Sequence, residues 1–272
     1  RAYFEGKKEL FKGLKIDKLE KDWHVHRVFH FDFNSVNFTQ PNALEETLDY
    51  ELSQWEKEYG IEAEFKNQFG LRLEKILQVA AEQTGHGAVV LIDEYDKPLL
   101  DVLEMDPELL NNNREILKGF YSTFKKADAY LRFVFLTGVT KFSQASMFSG
   151  FNQSLDISMT EKFEALCGIT EEELHTQFAE PIREMAQAED CTEEKMKLRL
   201  KKHYDGYHFS KQMTDIYNPF SVLNAFDSKD IRDFWFATGT PTYLIRLMNH
   251  FNEGIDELTG REYSLDEFVN YK

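Results

Sequence analysis

The stretch VVLIDEYDKP, Val89 to Pro98, drives an apolar run directly into two adjacent carboxylates, Asp93 and Glu94. Neighbouring acids repel each other and are costly to desolvate unless a positive group stands opposite them. Four apolar residues followed by Asp-Glu is the Walker B pattern. In it the Asp holds Mg²⁺ directly or through water, and the Glu orients the water that attacks a γ-phosphate. A magnesium ion carrying a nucleotide is therefore the positive partner these residues call for. Asp32 ends a second apolar run, RVFHFDFN, and Thr137 follows a third, LRFVFL. Ligands of open parallel sheets bind beyond the carboxyl ends of the strands, which gathers Asp32, Asp93, Glu94 and Thr137 into one constellation. Thr137 suits contact with the γ-phosphate or the attacking water. Asp32 has two readings, indirect help to the metal or bonding within its own loop. Asp96 and Lys97 read as braces of the loop, with Pro98 at a favoured helix start.

Other chemistry is thinner. The phosphate loop G-x-x-x-x-G-K-[ST] occurs nowhere in the chain. TGVTKFSQ, from Thr137, has one glycine and a lysine but lacks the second glycine that lets backbone amides surround a phosphate. HVHRVFH puts His24, His26 and His30 on one strand face by parity. Histidines along one flat strand do not converge on an ion without a partner element, so no metal is assigned to them. YDGYH, Tyr204 to His208, reads as a tight turn in which tyrosines pack and Asp205 bonds local backbone, or else as a substrate or partner surface. Cys167 follows the apolar FEAL and reads as core, and no nucleophile elbow is present. Nuclease activity in the chain itself is disfavoured, because EEK at Glu193 lies in a highly charged helical stretch.

The elements that must position these residues follow from periodicity. RVFHFDFN is a strand by its β-branched and aromatic content. Leu44, Leu48, Leu52 and Trp55 form one helix face closed by Gly60; Phe65, Phe69, Leu73, Ile76, Leu77 and Ala80 form another that ends at Gly85. Ala88 to Ile92 suits a strand buried on both faces. ELLNNNREILKGFYSTFKKAD is a helix leading to LRFVFL, another buried strand, and QSLDIS is a shorter one. Strand, helix, strand, helix, strand is the signature of a parallel α/β sheet with crossovers. Beyond about Thr160 the pattern turns to capped amphipathic helices, among them TPTYLIRLMNHF, with Thr170, Thr192 and Asn218 as N-caps. The expected organisation is an α/β core over residues 1–160 and a smaller, mainly helical subdomain over 161–272.

A chain of 272 residues with 42% hydrophobic content supports a sizeable core, and a net charge of −16 disfavours a broad basic groove for nucleic acid, leaving only a local basic patch as a route to one. Two cysteines in no metal or redox spacing point to the reducing cytoplasm, and no apolar run is long enough to span a membrane. RAYFEGKKELFKGLKI reads as the tail of a helix already under way, as in a piece of a longer protein.

VVLIDEYDKPLLD, FVFLTGVTKFS, FNQSLDISM, HYDGYHF, IYNPFSVLNAF and FWFATGTPTYLI together resemble, in order and spacing, the bacterial AAA-ATPase-like proteins, relatives of AAA+ and STAND ATPases. The resemblance implies a P-loop NTPase-like parallel sheet with helices on both faces and a helical lid, with strand order 5-1-4-3-2. It also implies ATP and Mg²⁺ as ligands, a phosphate loop upstream of Arg1, and a PD-(D/E)XK nuclease-like domain beyond the far end. Residue by residue it implies Asp93 as the magnesium-associated carboxylate, Glu94 as the water-polarising base and Thr137 as the sensor at the next strand end. Thr140 and Lys141 are further nucleotide contacts, and by analogy with AAA+ lids Arg183 or Arg246 is the lid cation, surface ion pairing being the other reading of both. Homo-oligomerisation fits the same family. The alternative is a non-catalytic interaction domain with an inherited Walker B motif.

Overall fold

A computed structural model describes residues 1–62, 64–103, 105–139 and 154–234. They divide into two compact units, one up to Ser154 and one from Leu155 onward.

In the first unit, Gly6 N donates to Tyr3 O and Lys7 N to Ala2 O, both at 3.1 Å, while Gly6 has φ +69°. That is the hydrogen-bond pattern with which helices end. The helical reading of the opening stretch therefore stops at Gly6. A 3₁₀ turn (Lys8–Phe11) and a short helix, α1 (Lys15–Leu19), follow separately.

Three parallel strands, β1 (Val28–Asp32), β2 (Ala88–Asp93) and β3 (Leu131–Leu136), lie in the order β1-β2-β3. Between β1 and β2 run α2 (Ala43–Tyr59) and α3 (Phe69–Thr84); between β2 and β3 run α4 (Lys97–Leu100) and α5 (Pro107–Lys126). This is the expected α/β arrangement, a parallel sheet flanked by helices. Alternation along β1 buries Phe29 and Phe31 and leaves His30 and Asp32 exposed. Phe29, Phe31, Val90 and Ile92 join Leu48 and Leu52 of α2, Leu73 and Ile76 of α3, and Leu117 and Phe120 of α5 in one core. The helix face predicted from Phe65 starts later, at Phe69, and Phe65 is exposed. Arg72 reaches back to the Lys66 carbonyl at 3.1 Å, which fixes that approach outside the helix.

LRFVFL is not the buried strand that its composition predicts. Among the described residues β3 pairs on one side only, and Phe133 remains 40% exposed beneath a stacking contact with Phe4 at 5.3 Å.

The second unit is mainly helical. A two-residue pair, β4 (Ile169–Thr170) with β5 (Ile216–Tyr217), is antiparallel. Around it lie α6 (Glu171–Gln177), α7 (Ala179–Ala188), α8 (Glu193–Tyr204) and α9 (Pro219–Ser228). The three expected N-caps are present: Thr170 in a reciprocal capping box with Glu173, Thr192 accepting from Lys195 N, and Asn218 accepting from Ser221 N. Ile182, Met185, Met196, Leu200, Tyr204 and Val222 form the core. Two expectations fail here. The described part of QSLDIS is not a strand, because the Asp156 side chain accepts from Ser158 N at 3.0 Å and offers the backbone a turn instead of a ladder. Cys167 is exposed, in a run of turns ahead of β4. TPTYLIRLMNHF lies outside the described residues.

Candidate functional site

The parallel register sets Asp32 directly across from Asp93 at the carboxyl ends of β1 and β2. Thr137 is the first residue past β3. Its backbone N donates to Ile92 O at 2.9 Å and its carbonyl accepts from Tyr95 N at 2.8 Å, so the ladder continues beyond the strand ends and holds the two tips together. The side chains are joined as well: Thr137 Oγ1 donates a short hydrogen bond to Asp93 Oδ1 and accepts from Glu94 N at 3.3 Å. Asp93, Thr137 and Asp32 are exposed. Asp32 Oδ1 accepts from Asn34 N at 2.9 Å, which is the local loop bonding foreseen for it.

Glu94 is half-buried and adopts φ +53°, a left-handed conformation that costs a non-glycine residue energy. The strain comes from the abrupt change of direction between β2 and α4, closed by Lys97 N donating to Glu94 O at 3.0 Å. Burial pushes the Glu94 carboxyl above the ordinary range; Lys97 works against that rise, while Asp93, Asp96 and Asp32 add to it.

Beneath the tips the support is largely buried. Asp96 is fully buried and its Oδ1 accepts from Val139 N at 3.2 Å, while the buried Tyr121 hydroxyl donates to Tyr95 O at 3.1 Å. Lys97 Nζ pairs with both Asp101 oxygens at 2.8 and 2.9 Å, and Asp101 Oδ2 also accepts from Phe38 N at 3.2 Å. Asp96 and Lys97 thus brace the loop, as their positions ahead of Pro98 predict. Asp101, which ties the β1–α2 connection to α4, escaped sequence reasoning; its one signal was the four-residue spacing from Lys97. An open cavity of about 370 Å³ lies between this ion pair and the polar loop from Asn34 to Thr39.

Gly138 follows Thr137 where the chain passes closest to that support. A Cβ there would lie 2.6 Å from Asp96 Oδ1 and closer still to the Tyr95 ring. Gly138→Ala is therefore expected to cost about 1–3 kcal/mol by overpacking; a denaturant titration showing less than half a kcal/mol would contradict the rigidity argued for these tips.

Thr140, Lys141 and Arg246 lie outside the described residues. Arg183, on α7, is exposed and pairs with Glu193 at 3.2 Å. Among the described residues no helix is long and apolar enough to cross a membrane.

A family model described as "Predicted AAA-ATPase" matches residues 1–148. The chain belongs to the AAA-ATPase-like family. It is also 33% identical, over 272 residues, to an "Uncharacterized protein in vnfD 5'region" of Azotobacter chroococcum mcd 1, an alignment covering 97% of this chain and 49% of that protein. The chain thus spans about half the length of this curated relative. No solved structure matches. Family membership makes this an AAA-ATPase-like module.

Proposed function

We infer that the chain is the core of an ATPase that binds ATP with Mg²⁺ and hydrolyses it. Asp93 is the magnesium-associated carboxylate, with Asp32 assisting. Glu94 orients and deprotonates the attacking water, and Thr137 is the sensor that links the two. The observation that carries this reading is the bonded trio at the strand tips, in which one threonine hydroxyl engages both Asp93 and the backbone of Glu94.

The side chains fit the ion. Mg²⁺ usually keeps several waters and takes one or two carboxylates together with phosphate oxygens. Two exposed aspartates facing each other across β1 and β2 are such a set, and among the described residues no three His, Cys or acidic side chains converge as a dedicated cage. Bound magnesium would neutralise phosphate charge as the terminal bond breaks. Glu94, half-buried and with its carboxyl raised above the ordinary range, takes up a proton more readily than an exposed glutamate, which suits a general base. Thr140 and Lys141 are assigned to the nucleotide's surroundings, Arg246 to the lid over residues 161–272, and the phosphate-gripping lysine to a segment upstream of Arg1. In this reading that segment supplies a strand for the outer side of β3. A nuclease-like domain beyond residue 272 is the proposed effector, and self-association of the ATPase core accompanies it.

The test compares residues 1–272 with the protein extended upstream. Saturating Mg²⁺-ATP is expected to stabilise the extended protein by about 2.7 kcal/mol at a hundredfold excess over Kd, and to leave the shorter chain nearly unshifted. An extended protein whose melting temperature ignores Mg²⁺-ATP would point instead to an interaction domain with an inherited motif.

A further inference from the structure

At the opposite end of the sheet from the candidate site, three histidines come together. His24 and His26 lead into β1, and His86 lies in the turn between α3 and β2. Ring centroids are 4.8 Å apart for His24 and His86, 5.6 Å for His26 and His86, and 6.5 Å for His24 and His26. The partner element that histidines on one strand lack is thus provided by the neighbouring strand's approach, because parallel pairing of Val28 with Val89 brings His86 alongside. His30 stays apart, within electrostatic reach of Glu51 on α2.

His26 is held in a way that prepares it as a ligand. Its Nδ1 lies 2.8 Å from Gly87 O, so Nδ1 carries a proton and donates, and in the neutral imidazole the lone pair is on Nε2. A backbone carbonyl that fixes the tautomer in this manner is the usual support of a metal-bound imidazole. The main chain of His26 is anchored too, through its N donating to Phe4 O at 2.8 Å. His24 and His86 are exposed. As placed, the donor atoms do not converge on a point, so a cation must draw the two exposed rings inward. The movement required is short: three imidazoles about 2.0–2.1 Å from one ion set their ring centres about 5 Å apart, against the observed 4.8 to 6.5 Å.

We propose that His24, His26 and His86 form a site for a borderline divalent cation of the nickel and zinc class, which closes on binding and fastens the amino-terminal segment to the α3–β2 turn. An all-nitrogen donor set selects such ions over magnesium or calcium. The remaining coordination positions are filled by water, since Glu20, the carboxylate in electrostatic reach of His24, already accepts from the Tyr3 hydroxyl and the amides of Lys21 and Asp22.

Calorimetric titration of untagged residues 1–272 with Ni²⁺ tests the site, nickel being chosen because it suits imidazole more than the exposed Cys167. The expected result is one equivalent bound with a Kd tighter than about 100 µM, at least about tenfold weakening by His86→Gln, no change with His30→Gln, and no competition from Mg²⁺. His86 and His30 are both exposed, so neither variant threatens folding, and circular dichroism before each titration checks this. Absence of binding below about 100 µM, a His86→Gln titration matching the parent, or an equal loss with His30→Gln would each overturn the assignment. None of these outcomes depends on whether the chain handles ATP.

Discussion

Glu94→Gln, in the protein extended upstream, is expected to cut ATP turnover by about 10²–10⁴-fold while leaving Mg²⁺-ATP affinity nearly unchanged and making the nucleotide-free protein more stable. The amide keeps the size and position of the carboxylate but cannot take the proton from water. It also removes a half-buried negative charge that Asp93, Asp96 and Asp32 all oppose. The sign of the pH effect follows. A carboxyl whose folded value is raised binds its proton more tightly when folded, so the stability it contributes is greatest at low pH. It is lost as pH rises from the ordinary value near 4.5 through the raised one. The parent should show that falling limb in a series of melting temperatures, and the variant should lack its share of it. Glu94→Gly should stabilise further, since φ +53° suits glycine without strain, and should be equally inactive. A Glu94→Gln enzyme that turns over ATP at the parent rate removes the base from the mechanism.

How much of this could be read in advance depends on whether a property is local. The β2 strand and its acidic tip are legible because an apolar run ending in Asp-Glu is unusual wherever it falls, and Thr137 because it occupies the same place one strand later. Helix ends at Gly60 and Gly85 and the caps at Thr170, Thr192 and Asn218 are likewise written in single residues. What the chain hides is whatever depends on a partner distant in sequence. That Asp32 stands opposite Asp93 is a matter of register. The exposure of Phe133 depends on which strand lies outside β3, not on the composition of LRFVFL. His24 and His26 gain a third imidazole only because β1 and β2 pair, whereas sequence parity points to His30 instead. Cys167 fails for a related reason: an apolar stretch such as FEAL becomes core only if an element covers it, and here it ends in turns.

Arg72→Ala is expected to destabilise the first unit by about 3–5 kcal/mol, the usual result of breaking a buried ion pair from one side. Arg72 sits on the buried face of α3 at 3% exposure, a position that helix periodicity assigns to an apolar residue. Each nitrogen of its guanidinium is engaged: Nε and Nη2 grip the two Glu56 oxygens at 2.7 and 2.8 Å, Nη2 also reaches Ser53 Oγ at 2.9 Å, and Nη1 meets Asp49 Oδ1 at 2.5 Å and Lys66 O at 3.1 Å. Removing the arginine leaves Glu56, 4% exposed, as an unpaired charge inside the α2–α3 contact. Lysine cannot replace it, since one ammonium does not reproduce a planar fork. Arg72→Met combined with Glu56→Leu should recover most of the loss, because an apolar pair of similar volume carries no desolvation cost. A denaturant titration in which Arg72→Ala costs less than about 1 kcal/mol, or in which the double variant is no better than the single one, would show that α2 and α3 are held by other contacts. The clamp joins the two helices that bury Phe29, Phe31, Val90 and Ile92, the face behind the tips of β1 and β2. Its loss should therefore lower the melting temperature while the molecules that remain folded keep their nucleotide affinity and turnover. Glu94→Gln predicts the reverse in melting temperature and in turnover, with affinity kept in both variants, which separates the group doing chemistry from the group holding the sheet in place.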